Sequence, residues 1–93
     1  MIYAVAKITI TNPDSLAAYG KMAGPALAKH GGKVEGAARE FTVLDGSPEI
    51  SDMVAILSFP DKDAAVAWST DPDLDEVHEL RRGAGGSDIV LLG

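Results

Sequence analysis

Ala64 to Arg82 read AAVAWSTDPDLDEVHELRR, and this stretch predicts two consecutive helices. At its centre, Asp71 is followed by Pro72, a pair that is typical of a helix start. The Asp71 carboxylate can accept a hydrogen bond from a free N–H of the first turn, and proline at the first helical position gives up an N–H that has no partner there. We therefore expect one helix that carries Trp68 and a second that begins at Asp71.

The second of these helices carries an arginine among its apolar residues. Leu74, Val77 and His78 share one stripe with Arg81, at the i, i+3, i+4 and i+7 positions. A guanidinium that faces the core needs a carboxylate, a main-chain carbonyl or a ligand, because burying an unpaired charge is costly. The spacing therefore indicates a pocket at Arg81.

Outside this stretch, the sequence predicts four strands and one more helix. Asn12 and Pro13 begin that helix, and Gly31-Gly32 ends it. The second strand is weak around Gly36–Ala38, where we expect a bulge. The predicted elements are, in order, a strand over 2–11, a helix over 13–30, strands over 33–44 and 52–59, helices from 61 and from 71, and a strand over 87–92.

This order predicts an α+β fold, the ferredoxin-like βαββαβ arrangement with a four-stranded antiparallel sheet. Residues 1–93 are expected to form one domain. Met53–Leu57 and Ile89–Leu92 are apolar at every position. Successive strand side chains point to opposite faces, so both faces of the sheet are apolar there, and helices can cover only one. We therefore expect a homodimer that packs sheet against sheet, a dimeric α/β barrel.

Composition excludes several classes of function. A net charge of −6 disfavours nucleic acid and anionic membrane surfaces as partners. No apolar run reaches the length of a membrane span. The chain has no cysteine, which suits a cytoplasmic location. Its two histidines lack zinc spacing and its glycines do not form a phosphate loop, so we expect neither a metal nor a cofactor.

A series of short motifs spans the chain: Gly31-Gly32, Asp45-Gly46 after twelve intervening residues, Phe59-Pro60, Ala65 three before Trp68, Pro72, Leu80-Arg81 and the closing Gly93. In this order and spacing the sequence resembles DUF1330, a family of small bacterial proteins of unknown function within the dimeric α/β-barrel group. The resemblance covers the whole chain and implies a ferredoxin-like fold that dimerises through its sheets, without an established activity.

Four positions depart from the family pattern. Asp45 replaces the usual glutamate, and Ala37–Arg39 stands where an arginine usually precedes two glycines. Ser69 and Leu74 each stand where the family usually has a tyrosine. Several polar or aromatic groups that could line a family pocket are therefore replaced in this chain.

Five residues are candidates for a ligand site. Arg81 either makes a structural ion pair or clamps a carboxylate or phosphate, and Asp45 is its expected protein partner if no ligand serves. Trp68 and Tyr19 either pack in the core or line the pocket. His30 is either a half-buried histidine at a helix end or a general base, for which Asp45 is the only partner that the sequence suggests.

Three functional interpretations remain open at this stage. The first is a dimeric barrel that binds a small anionic or aromatic molecule near Arg81 and Trp68. The second is a cofactor-free enzyme that uses His30 or Asp45 as a general acid or base. The third is a structural module without a ligand.

Overall fold

The computed structural model describes residues 1–93, and its secondary structure follows the predicted order. Seven elements are joined by short connections, apart from the segment between the second and third strands. A 3₁₀ turn over Pro72–Leu74 separates the last two helices. The elements are β1 (Ile2–Ile10), α1 (Pro13–Ala28), β2 (Lys33–Ala38), β3 (Met53–Phe59), α2 (Lys62–Thr70), α3 (Asp75–Gly83) and β4 (Gly85–Leu92).

The strands form one sheet in the order β2-β3-β1-β4, and every neighbouring pair is antiparallel. This is the predicted α+β fold with the ferredoxin-like βαββαβ arrangement. Strand β1 pairs with both β3 and β4, so the first strand of the chain lies in the middle of the sheet. The end of α3 therefore leads directly into the edge strand beside β1.

The helix starts use the side chains that the sequence indicated. Asn12 Oδ1 accepts a hydrogen bond of 3.2 Å from the Ser15 N–H, and Pro13 takes the first helical position of α1. Asp61 Oδ1 accepts a bond of 2.8 Å from the N–H of Ala64 at the start of α2. After α1, Gly31 turns the chain with φ of +73°, a conformation that favours glycine.

The Asp71-Pro72 start is confirmed with one difference in detail. Asp71 Oδ1 accepts a hydrogen bond of 2.9 Å from the Asp73 N–H, as a cap does. The first turn is the 3₁₀ turn, however, and α3 begins only at Asp75. The apolar stripe survives this change, since Leu74, Val77, His78 and Arg81 are all buried.

One predicted strand is too long. The β-branched and aromatic residues of Phe41–Leu44 favoured a strand as far as Leu44, but β2 ends at Ala38. Its neighbour β3 begins at Met53, one residue before the Val54 that pairs with Ala38, so the residues from Glu40 onward have no strand to pair with. The expected bulge is present as a register shift between Val34 and Gly36.

The helices cover one face of the sheet. Ala4, Ala6 and Ile8 alternate along β1 toward that face and are buried, as are Leu57 and Phe59 on β3. The other face exposes large apolar side chains, with exposed fractions from 37% to 60%: Tyr3, Ile56, Val90 and Leu92. No helix of the structure combines the length and the apolar character that crossing a membrane requires.

Candidate functional site

A cleft of about 310 Å³ lies where α2 and α3 meet β1 and β4. Its floor is buried, and its rim is formed by exposed positions of α2 and by Arg82 at the end of α3. Apolar and aromatic side chains make most of the wall, and the polar groups are arginines and serines. The lining residues are Ala4, Phe59, Ala65, Val66, Trp68, Ser69, Arg81, Arg82, Ser87, Ile89 and Leu91.

Arg81 is 5% exposed, and no carboxylate compensates its charge. Its Nε–H donates a hydrogen bond of 3.0 Å to Ser87 Oγ, and Nη1 donates one of 2.8 Å to His78 Nδ1. A guanidinium has five N–H donors, so these two bonds leave three without a protein acceptor. The wall of the cleft therefore holds a buried cation with free donors.

Two aromatic rings flank this guanidinium. Its central carbon lies 5.6 Å from the centre of the Tyr19 ring and 5.3 Å from that of Trp68. Cation–π contacts at desolvated positions stabilise a charge by about 2 kcal/mol, whereas burying an unpaired ion costs several. The rings therefore offset only part of the cost and leave Arg81 suited to an anion.

His78 holds Arg81 in place as a neutral ring. Its Nε2–H donates a hydrogen bond of 2.9 Å to the Trp68 carbonyl oxygen, while Nδ1 accepts from Arg81. This pair of bonds fixes the tautomer with the proton on Nε2. Burial lowers the pKa of His78, and the charge of Arg81 lowers it further, although the bond to the carbonyl opposes both.

His78 is not among the site residues that the sequence suggests, although it lies on the same stripe as Arg81, three positions earlier. Side chains at i and i+3 of a helix meet, and a neutral imidazole can accept a hydrogen bond from a guanidinium. That spacing was the signal that could have identified this pair.

Trp68 joins the cleft to the core. Its ring packs against Phe59 with centroids 5.5 Å apart and meets His78 edge-on at 4.8 Å. Its indole Nε1–H is buried and has no hydrogen-bond partner. A buried donor without an acceptor costs about 1–3 kcal/mol, so Trp68 adds an unsatisfied donor beside the free donors of Arg81.

The expected pair of His30 and Asp45 is not formed. His30 Nε2 lies 2.8 Å from Asp71 Oδ2, and the same oxygen is 2.7 Å from Lys29 Nζ. The bond to Lys29, and then that to His30, holds the pKa of Asp71 well below its usual range. His30 therefore sits in an ion-pair cluster at the end of α1, outside the cleft.

The predicted contact between Arg81 and Asp45 is also wrong. Asp45 is exposed in the irregular segment between β2 and β3, and its carboxylate makes no hydrogen bond or ion pair. Because β2 stops at Ala38, the chain does not carry Asp45 along the sheet toward α3. The structure thus brings together Arg81, Trp68 and Tyr19, and it leaves His30 and Asp45 apart from them.

No group of three or more His, Asp or Glu side chains is close enough to hold a metal ion. The cleft lining contains no carboxylate: its polar side chains are the guanidinium of Arg81, the hydroxyls of Ser69 and Ser87, which can donate as well as accept, and, at the rim, Arg82. Glu79 Oε1 accepts from Arg82 Nη1 at 2.8 Å, outside the cleft lining. Chemically, this arrangement can hold an oxyanion against an apolar wall.

Comparison with known proteins agrees with the resemblance seen in the sequence. The family model for DUF1330, a domain of unknown function, matches residues 1–93. The crystal structure of RPA0582, a protein of unknown function from Rhodopseudomonas palustris, matches with a TM-score of 0.73 and 28% identity over 98% of this chain and 79% of that chain. The structure of methylated RPA0582 gives 0.72 and 27%, over 98% and 78%. Among curated proteins, none matches.

Proposed function

Because the chain belongs to the DUF1330 family, whose function is unknown, we propose from its own residues that it binds a small anion with an aromatic or apolar body in the cleft beside Arg81 and Trp68. One observation carries this proposal. Arg81 is buried in the cleft wall without a carboxylate, and three of its N–H donors lack an acceptor. A carboxylate supplies two acceptor oxygens in the planar arrangement that a guanidinium fork matches.

The rest of the cleft favours an apolar body on that anion. Phe59, Ile89 and Leu91 line it together with the Trp68 ring, and each offers dispersion contacts to a flat or branched group. The volume of about 310 Å³ lies at the lower end of the range for small-molecule pockets. A benzoate-sized molecule fits this description better than a nucleotide or a peptide.

The experiment is a titration with benzoate that is followed by tryptophan emission. Trp68 is the only tryptophan of the chain and lines the cleft, so a change in its emission reports on this site. Benzamide has nearly the same shape without the charge and should bind at least about tenfold more weakly, since charge-assisted bonds are roughly twice as strong as neutral ones. Equal binding of the two, or no binding of benzoate, contradicts the proposal and favours a structural module.

A pair of conservative variants assigns the binding to Arg81. Arg81→Lys keeps the charge but cannot make the two-point contact, so benzoate affinity should fall about tenfold. Lys21→Arg is the matched control, because it also exchanges one cation for another, and Lys21 is exposed and lines neither this cleft nor the cavity between α1 and the sheet. Ser87→Ala tests the site again with a smaller change, since it removes the hydroxyl that accepts from Arg81 Nε. Unchanged affinity in Arg81→Lys and Ser87→Ala would place the binding elsewhere.

Proton transfer by His30 or Asp45 has less support. His30 contacts Asp71 and Lys29 and lies outside the cleft lining, and Asp45 is exposed. A general base must reach the proton that it removes in a bound substrate. The geometry therefore favours a binding function over catalysis at these two residues.

We also propose that the protein forms a homodimer through the outer face of its sheet. Tyr3, Ile56, Val90 and Leu92 form an exposed apolar surface on that face, opposite the helices. Contiguous apolar patches on one face of a sheet are typical of interaction sites. Light scattering at micromolar concentration should give about twice the chain mass of 9.7 kDa. A mass of one chain across that range would contradict the dimer.

A further inference from the structure

A second cavity of about 560 Å³ lies between α1 and the β2–β3 half of the sheet. Small side chains on both walls explain why it exists, because neither the helix nor the sheet fills the space between them. The small residues of the helix wall are Ala17, Gly20, Ala23 and Gly24, and those of the sheet wall are Ala6, Ala37 and Ala55.

The cavity is accessible from solvent. Its floor is buried and apolar, with Ile8 and Leu57, whereas Gly20 and Gly24 on its rim are exposed. A Cβ atom built on either glycine meets no heavy atom within 4 Å. A flexible apolar molecule can therefore enter past α1 and lie against the sheet.

The rim also carries one charge. Arg39 follows β2 and is the only charged residue of the lining, and it makes no hydrogen bond or ion pair with a carboxylate. The free donors of an arginine at the edge of an apolar cavity suit a molecule with a hydrocarbon chain and one anionic end. Charge and lining thus indicate the same kind of occupant.

We propose that this second cavity binds an aliphatic monocarboxylate of medium chain length, with its chain between α1 and the sheet and its carboxylate at Arg39. No residue lines both this cavity and the cleft at Arg81, although Tyr19, whose ring flanks Arg81, belongs to the lining of this cavity. A bound hydrocarbon chain supplies the dispersion contacts that the cavity walls lack. These contacts matter because a protein of 93 residues has only a modest core of its own.

Calorimetric titration with hexanoate, octanoate and decanoate tests the proposal. Each buried methylene contributes a roughly constant hydrophobic term, so every two-carbon step should raise the affinity about tenfold. Decanol, which has the same chain without the charge, should bind more weakly than decanoate. In Arg39→Gln this difference between decanoate and decanol should disappear, while decanol binding stays the same.

A variant that fills the cavity separates loss of the site from loss of the fold. Gly20→Leu puts a side chain into open space and replaces glycine with a better helix former, so Tm should not fall while decanoate binds at least about tenfold more weakly. Ala28→Leu is the matched control, since Ala28 is exposed on the same helix and lines neither cavity. It should bind decanoate as the unmodified chain does.

Three results would overturn the proposal: no decanoate binding, an affinity independent of chain length, or unchanged binding in Gly20→Leu. Decanoate could also bind to Leu44→Asp and not to the unmodified chain. That result would identify the exposed Phe41–Leu44 segment of a second copy as the occupant of the cavity, and it would overturn the proposal too. Benzoate binding at Trp68 and Arg81 is measured independently, so failure at one cavity does not imply failure at the other.

Discussion

Arg81 Nη1 donates a hydrogen bond of 2.8 Å to Nδ1 of His78, one turn earlier on α3, so a neutral ring holds the buried guanidinium. The same ring donates from Nε2 to the Trp68 carbonyl oxygen at 2.9 Å, near the end of α2. One imidazole therefore links the two helices that form the cleft. It fixes the direction of the guanidinium without neutralising its charge.

Removing this ring should destabilise the fold. His78→Leu replaces the ring with an apolar side chain that still fills much of its space, but it leaves the Arg81 N–H and the Trp68 carbonyl without their partners. Each unsatisfied buried group costs about 1–3 kcal/mol, so we expect a loss of about 2–6 kcal/mol in the free energy of unfolding. Urea denaturation measures it. A loss below about 1 kcal/mol would mean that the two bonds are not the main support of Arg81.

The free energy of unfolding should depend on pH through the protonation of His78. Its pKa is lower in the folded chain than the ordinary 6.5, because burial disfavours the charged ring. The unfolded chain then binds a proton at a higher pH than the folded chain does. The stabilisation is complete above the unfolded pKa and is lost as the pH falls through the folded one. We expect stability to decline as the pH falls below the ordinary pKa of 6.5, with a shallower decline in His78→Leu.

Asp71 predicts a different pH window. The carboxylate caps the 3₁₀ turn and binds Lys29 and His30, and these contacts hold its pKa below the ordinary 3.8. Its contribution is present above the unfolded pKa and is lost only as the pH falls through the lower folded value. Asp71→Asn should therefore lower Tm at neutral pH and have little effect in strong acid. Thermal melts of Asp71→Asn and of the unmodified chain, each at neutral pH and in strong acid, measure this effect. A difference in Tm that is the same at both pH values would contradict this assignment.

The sequence predicted the elements whose signals are local. The Asn12 and Asp61 caps, the Gly31 turn and the stripe that ends at Arg81 depend on neighbours in the chain, and all four are present in the structure. The order of elements then restricted the topology to the one observed. Local chemistry and element order together were sufficient for the fold.

Most of the wrong predictions concern contacts between residues far apart in the chain, which no local signal reports. Phe41–Leu44 has strand propensity, but β3 begins too late to pair with it. The prediction of Asp45 as a partner for Arg81 and His30 rests on residue type alone. The true partners, His78 and Asp71, lie in the stretch from Ala64 to Arg82. Spacing along α3 could have identified the first, whereas the second depends on how the end of α1 meets the turn after α2.

A glutamate introduced on either face of the sheet distinguishes an effect on folding from an effect on dimer assembly. Leu57 is buried under the helices, so Leu57→Glu should cost several kcal/mol and prevent folding. Val90 is 60% exposed on the outer face, so Val90→Glu should change the stability of one chain by about 1 kcal/mol or less. If the outer face is the dimer interface, Val90→Glu should be a folded monomer by circular dichroism and light scattering. A folded Val90→Glu dimer would mean that the copies meet elsewhere.

Alanine substitutions at two glycines should change the free energy of unfolding in opposite directions. Gly85 joins α3 to β4 at φ of +154°, and a Cβ there would overlap the carbonyl oxygen of Thr9 on the neighbouring strand. That backbone conformation is essentially restricted to glycine, and the overlap is with main chain that cannot rotate away. Gly85→Ala should therefore cost about 3 kcal/mol or more.

Gly20 gives the opposite expectation, since it lies inside α1 and a Cβ atom there meets nothing within 4 Å. Alanine loses less backbone entropy than glycine in a helix, so Gly20→Ala should raise the free energy of unfolding by about 0.5–1 kcal/mol. Urea denaturation of both variants beside the unmodified chain measures the two shifts under the same conditions. A stable Gly85→Ala would show that the junction between α3 and β4 can open to admit a side chain. A destabilised Gly20→Ala would show instead that the space beside Gly20, at the rim of the second cavity, is already occupied in solution.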